Sequence, residues 1–99
     1  MSNRLNCKEY YFSSHAVQRM FERKINKNSV ISAIKEGEVI ADYPDDTPYP
    51  SCLILYFVKS KPIHAVVALD IAEEKCYIIT VYIPSIKLWH EDYKTRRDK

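Results

Sequence analysis

The chain has 99 residues, 46% of them apolar and 12% aromatic, with a single Gly and a formal charge of +2. Disorder needs few aromatics and a large net charge, so eight Tyr, three Phe and one Trp exclude it. A domain of this size buries roughly 60–70% of the surface its unfolded chain exposes, which fits one domain over residues 1–99 whose site is a surface groove.

The opening MSNRLNCKEYYF lacks the unbroken apolar stretch of a signal peptide, and no run of about 18 apolar residues occurs anywhere. A cytoplasmic protein with no membrane partner is therefore expected. Cys7, Cys52 and Cys76 are odd in number and lack C-x2-C spacing, so they are expected to be reduced packing residues rather than a disulfide framework or a zinc site.

Charge is unevenly placed. Residues 1–35 carry Arg4, Lys8, Arg19, Arg23, Lys24, Lys27 and Lys35 against Glu9 and Glu22, a local +5. Residues 36–75 reverse this to −5, and residues 76–99 return to +2. Two basic ends can build a positive patch for a phosphate-bearing partner if they meet in space, or can remain a solvated face.

From Phe12 the pattern is helical. Ser13 or Ser14 can cap a helix over about 13–24 with Val17, Met20 and Phe21 as its buried stripe. Asn28 or Ser29 can cap a second, with Val30, Ile31 and Ile34 inward, ended by Gly37 in the left-handed C-terminal position. Val39-Ile40-Ala41 is a short apolar piece, and DYPDDTPYP, with three Pro and three Asp, is a loop. CLILYFVKS, IHAVVALD and CYIITVYI are three β-branched and aromatic runs with short connections, hence antiparallel neighbours. Residues 84–99 form a C-terminal tail with one amphipathic turn around Leu88, Trp89 and Tyr93.

This order predicts an α+β fold, with two N-terminal helices packed on one face of a small antiparallel sheet. Pairing Asp70 with Cys76 and His64 with Tyr82 puts Ile63, Ala65, Val67, Leu69, Tyr77, Ile79, Val81 and Ile83 on the helix side. His64, Val66, Ala68, Asp70, Cys76, Ile78, Thr80 and Tyr82 then share the other face.

No P-loop, G-x-G-x-x-G, H-E-x-x-H or nucleophile elbow is present, so neither metal nor cofactor is expected. Three features carry chemistry. His15, Arg19 and Arg23 recur every four residues, one slanting helical stripe in which two guanidinium groups could hold a phosphate and an imidazole could move a proton, or simply a solvated face with Glu22 and Glu38 as partners. His64 with Thr80 and Tyr82 offers either a base beside a phenol, suited to abstracting a ribose 2′-OH proton, or a histidine whose ring nitrogens are satisfied by Tyr82 and a neighbouring carbonyl. In the tail, Trp89, Arg96 and Arg97 interleave aromatic and basic groups like a single-stranded nucleic-acid surface, while Trp89 could equally lid the core and the Arg pair could fray.

FSSHAVQRMFERKI, EGEVI, DYPDD, PIHAVVALD and IITVYIP…W…D…RR together resemble an uncharacterised bacterial domain-of-unknown-function family marked by H-x3-RM-x2-R-x-I. The family's opening motif falls on His15, Arg19, Met20, Arg23 and Ile25, its strand histidine on His64, and its closing motif on Thr80, Val81, Tyr82, Pro84 and Trp89. It is similar to the RelE/ParE-like toxin superfamily, whose members are often encoded beside zinc-finger antitoxins of the MqsA kind. The resemblance implies a RelE/ParE-like domain acting as the toxin of a type II toxin–antitoxin pair, a metal-independent endoribonuclease on messenger RNA. In that reading His64 or His15 is the base, Tyr82 assists the leaving oxygen, and Arg19, Arg23, Thr80, Trp89, Arg96 and Arg97 bind substrate. A non-catalytic nucleic-acid- or protein-binding module and a ParE-like gyrase inhibitor remain alternatives.

Overall fold

The computed structural model describes residues 7–97; Arg4, Asp98 and Lys99, counted in the charge of the two ends, lie outside them. The elements run β1 (Glu9–Phe12), α1 (Ser14–Arg23), α2 (Lys27–Glu36), β2 (Glu38–Tyr43), β3 (Ser51–Val58), β4 (Lys61–Asp70) and β5 (Lys75–Tyr82). The sheet order is β1-β5-β4-β3-β2. β2 through β5 pair antiparallel, but β1 pairs parallel with β5, Tyr11 beside Tyr77. The expected antiparallel sheet is thus corrected to a five-stranded mixed sheet. The sequence reading missed β1, a four-residue strand too short to show a period, and β2 is the apolar piece 39–41 extended at both ends.

Ser13 caps α1, its Oγ accepting from Ala16 N–H at 2.9 Å, and Asn26, not Asn28 or Ser29, caps α2 by accepting from Ser29 N–H at 2.8 Å. The buried stripe of α1 is Ala16 and Met20, whereas Val17 and Phe21 are exposed at 52% and 86%. The shift follows from α1 resting chiefly on β5, where the small Ala16 permits close approach and turns Val17 and Phe21 to the flank. α2 buries Val30, Ala33 and Ile34. Gly37 is not left-handed: its φ is −73°. Its role is close approach, since a Cβ there would sit 2.4 Å from the Ala33 carbonyl oxygen and 2.6 Å from Ile54 Cγ2.

A β-bulge between β4 and β5 decides which side chains face the helices. His64 pairs with Tyr82, Ala65 with Val81 and Val66 with Thr80, as parity predicts, but Val67 pairs with Ile78 and Asp70 with Lys75. Ile79 is the extra residue, its carbonyl accepting from Ser13 Oγ at 2.8 Å, and beyond it every face assignment flips. Cys76 and Ile78 therefore join Ile63, Ala65, Val67 and Val81 in the helix-side core, and Tyr77, expected there, stands on the opposite face.

Cys7 is bonded to Cys76, with Cα atoms 5.8 Å apart across 69 residues of sequence. The expectation of three reduced cysteines is corrected: parallel pairing lays Tyr10 beside Cys76 and so delivers Cys7, just upstream of β1, to the same strand. Cys52 is free and buried. Among the described residues, no helix is long and apolar enough to cross a membrane.

Candidate functional site

The helices occupy one face of the sheet; the candidate chemistry lies on the other. Antiparallel partners share a face, so Ala41, Tyr43, Leu53, Leu55, His64, Val66, Thr80 and Tyr82 all stand on the outer side, joined there by Tyr77 of β5 and its β1 neighbour Tyr11.

The tail covers one end of this face as an ordered hairpin rather than an amphipathic turn or a frayed strand. Trp89 bridges Arg96, and His90 N–H donates to the Thr95 carbonyl at 2.8 Å. Asp92 closes the turn by accepting from the N–H groups of Lys94 and Thr95 and from the Thr95 hydroxyl; these bonds hold its carboxyl below the usual carboxylate range. The Arg97 guanidinium donates from Nε to the carbonyls of Ile86 and Trp89, so Arg97 is a structural pin.

His64 anchors the hairpin to the sheet. It is fully buried, with its ring edge-on to Trp89 at 4.6 Å between centroids. Its Nε2 lies 2.7 Å from the Tyr93 carbonyl and its Nδ1 3.1 Å from the Tyr82 hydroxyl. A carbonyl can only accept, so Nε2 carries the proton and Nδ1 accepts from Tyr82. Burial pushes the His64 pKa down, with the Tyr93 bond acting the other way, and pushes that of Tyr82 up. Both nitrogens of this imidazole are engaged and none of its surface meets solvent. Of the two arrangements expected for this residue, the histidine satisfied by Tyr82 and a carbonyl is the one found.

The outer face is open at its β1–β5 side. Tyr11, Tyr77 and Tyr49 form a stack with centroid spacings of 5.3 Å and 5.4 Å and interplanar angles of 20° and 2°. Lys75 sits over Tyr11 at 5.8 Å. The phenols of Tyr11 and Tyr49 titrate above the usual range because of Glu9 and Asp70 respectively. Beside the stack, Tyr11, Ser13, His15, Tyr77 and Ile79 line an open cleft of about 370 Å³.

His15 reaches this cleft because β1 ends at Phe12 and α1 begins at the edge of the sheet. Its stripe companions stay on the helix flank. Arg19 is exposed and pairs with Glu22 at 3.1 Å, and Arg23 is exposed. The structure thus brings His64, Tyr82, Trp89 and Arg96 together, sets Thr80 beside them opposite Val66, and places His15 at the far edge. Arg19 and Arg23 lie on α1, whereas the hairpin carrying Arg96 and Arg97 covers the opposite face, so among the described residues the two basic ends do not merge into one patch.

Sequence reasoning missed Tyr11, Tyr43, Tyr49 and Tyr77. The available signal was eight tyrosines in 99 residues, but Tyr43 and Tyr49 sat in a stretch read as loop, and the start of the hairpin at Lys75 concealed the face of Tyr77. Among the described residues, no cluster of His, Cys, Asp or Glu could hold a metal ion.

No curated protein and no solved structure matches the chain. A family model described as a domain of unknown function (DUF4258) matches residues 12–83. The match takes in α1, the whole of β2 to β5 and His64, and leaves the hairpin with Trp89 and Arg96 outside. The chain belongs to this DUF4258 family.

Proposed function

We propose that the protein binds single-stranded RNA across its outer sheet face. The observation that carries this reading is the Tyr11–Tyr77–Tyr49 stack, with Tyr11 44% exposed. Cross-strand aromatic pairs stabilise a sheet wherever they occur; this one also offers a half-exposed ring at the margin of a cleft. Stacking on such rings is sequence-tolerant and is worth roughly 1–3 kcal/mol per base, and Lys75 supplies a cation for the backbone. The test is fluorescence anisotropy with a labelled single-stranded RNA and its duplex. Preference for the single strand, weakened about tenfold or more by Tyr11→Ala and falling with salt, supports the reading. Equal binding by the variant sinks it.

A second reading, a metal-independent ribonuclease toxin of a type II toxin–antitoxin pair, draws support from the position of His15 and from the sequence's likeness to RelE/ParE-like toxins. His15 is exposed at the cleft that the tyrosines border, and it would take the 2′-OH proton as the 2′-oxygen bonds to phosphorus, the P–O5′ bond breaks to leave a 2′,3′-cyclic phosphate, and the 5′-oxygen takes a proton from solvent water in the open cleft. His64 keeps the hairpin in place. An antitoxin, of the MqsA zinc-finger kind or another, would cover the same face, and acidic segments in it would be released at high salt. Induced expression of wild type and His15→Ala in bacteria decides: growth arrest and EDTA-resistant RNA cleavage by wild type alone support the toxin, and arrest by both removes His15.

A further inference from the structure

At the opposite side of the outer face, over β2 and β3, the hairpin encloses a second cavity of about 270 Å³ lined by Ile40, Ala41, Tyr43, Leu53, Trp89, Lys94 and Arg96. Its charge is one-sided. Lys94 is held by Glu38 at 3.1 Å, but Arg96 has no carboxylate partner and donates no side-chain hydrogen bond among the described residues. Its guanidinium instead lies over the Trp89 ring at 5.5 Å. The floor is apolar: Leu53 is 4% exposed.

We propose that this pocket binds a phosphate monoester attached to a flat base, with Arg96 on the phosphate and the base held over Leu53 against the exposed ring of Tyr43. A guanidinium forms a planar fork that meets two phosphate oxygens at once, and stacking on an indole leaves that fork free to donate. Glu38 already neutralises Lys94, so Arg96 is the cation that selects the anion. The volume lies just below the roughly 300–1,000 Å³ of drug-sized sites, which limits the occupant to a single nucleotide unit, either a free nucleoside monophosphate or the 5′-phosphorylated end of an RNA. The proposal stands apart from the tyrosine stack and from the RNA-binding reading, because a mononucleotide alone satisfies it.

The experiment is calorimetric titration of the full chain with AMP, adenosine and inorganic phosphate, followed by 5′-phosphorylated and 5′-hydroxyl RNA hexamers. AMP is expected to bind at least about tenfold more tightly than adenosine, with Arg96→Gln erasing the difference and Tyr11→Ala leaving it intact. The same preference among the hexamers assigns the RNA end as a source, and its restriction to AMP assigns the free nucleotide; either upholds the pocket. Absence of AMP binding, equal affinity for AMP and adenosine, or an unchanged difference in Arg96→Gln overturns it. Trp89, the single tryptophan, reports by its emission whether the variant keeps the hairpin; where it does not, AMP against adenosine in the wild type decides. RNA binding unchanged in Tyr11→Ala with the AMP preference present is failure at the stack alone, and RNA binding lost in Tyr11→Ala with no AMP preference is failure at the pocket alone.

Discussion

The hairpin end and the tyrosine end of the outer sheet face hold the same kinds of side chain to opposite effect. At the hairpin end, the His64 imidazole and the Tyr82 phenol are turned toward each other and toward a backbone carbonyl, so their polarity is spent on docking residues 84–97. At the tyrosine end, rings stack on one another with Tyr11 open to solvent, and His15 stands exposed beside them. Residue type did not separate structural from available chemistry; access to solvent did.

The largest expected effect tests what holds the tyrosine end together. The Cys7–Cys76 bond closes a loop of 69 residues, and in the chain-entropy account its removal costs about 4 kcal/mol. Cys7→Ser should lower chemical-denaturation stability by several kcal/mol and loosen β1 and Tyr11 first, read as faster amide exchange over residues 9–12 than over β4. Unchanged stability would show that β1 stays docked without the bond.

At the hairpin end, His64→Ala should cost about 3 kcal/mol, through a cavity beneath Trp89 and two unpartnered polar atoms. Trp89 emission should shift to the red as the hairpin lifts. A stability loss under about 1 kcal/mol would remove His64 as the anchor.

Acid sharpens the contrast. His64 is held neutral below its ordinary value of 6.5 by burial, so below that pH the unfolded chain binds a proton that the folded chain resists. Its stabilising share is complete above about pH 6.5 and is lost progressively as pH falls below it. Denaturation midpoints across this range should show the slope in wild type, and His64→Gln should abolish it; a slope that survives the substitution assigns it elsewhere.

The smallest effect belongs to the helix stripe. The exposed Arg19–Glu22 pair is worth less than about 0.5 kcal/mol, so Arg19→Ala should leave stability near that of wild type. The ribonuclease reading gives Arg19 a phosphate to neutralise, and a loss of RNA affinity in this variant would extend the interface from the sheet onto α1.

Legibility in the sequence followed the range of the interactions. Helix caps, the helix pair and three strands are written locally, in Ser13, in the Val30–Ile34 spacing and in β-branched runs between turn residues. His64 does lie opposite Tyr82, but not through the hairpin register read from sequence: the hairpin starts at Asp70–Lys75 rather than Asp70–Cys76, and the bulge at Ile79 brings Tyr82 opposite His64. The bulge at Ile79 could not be read, because Ser13, 66 residues away, supplies a hydrogen bond to the bulged carbonyl. Tyr77 lies on the turn side of the bulge, and its outer face follows from the hairpin starting at Lys75 rather than Cys76.

By itself, the sequence determined the two helices, the β3-β4-β5 meander and the set of aromatic and basic side chains available for chemistry, because short-range periodicity and turn residues encode these directly. The tertiary structure alone decided that β1 returns parallel to β5, that Cys7 meets Cys76, and that His64 is sealed while His15 stays open. Each of these depends on segments about 25 to 70 residues apart coming together, and local pattern carries no record of which partner a buried polar group will find.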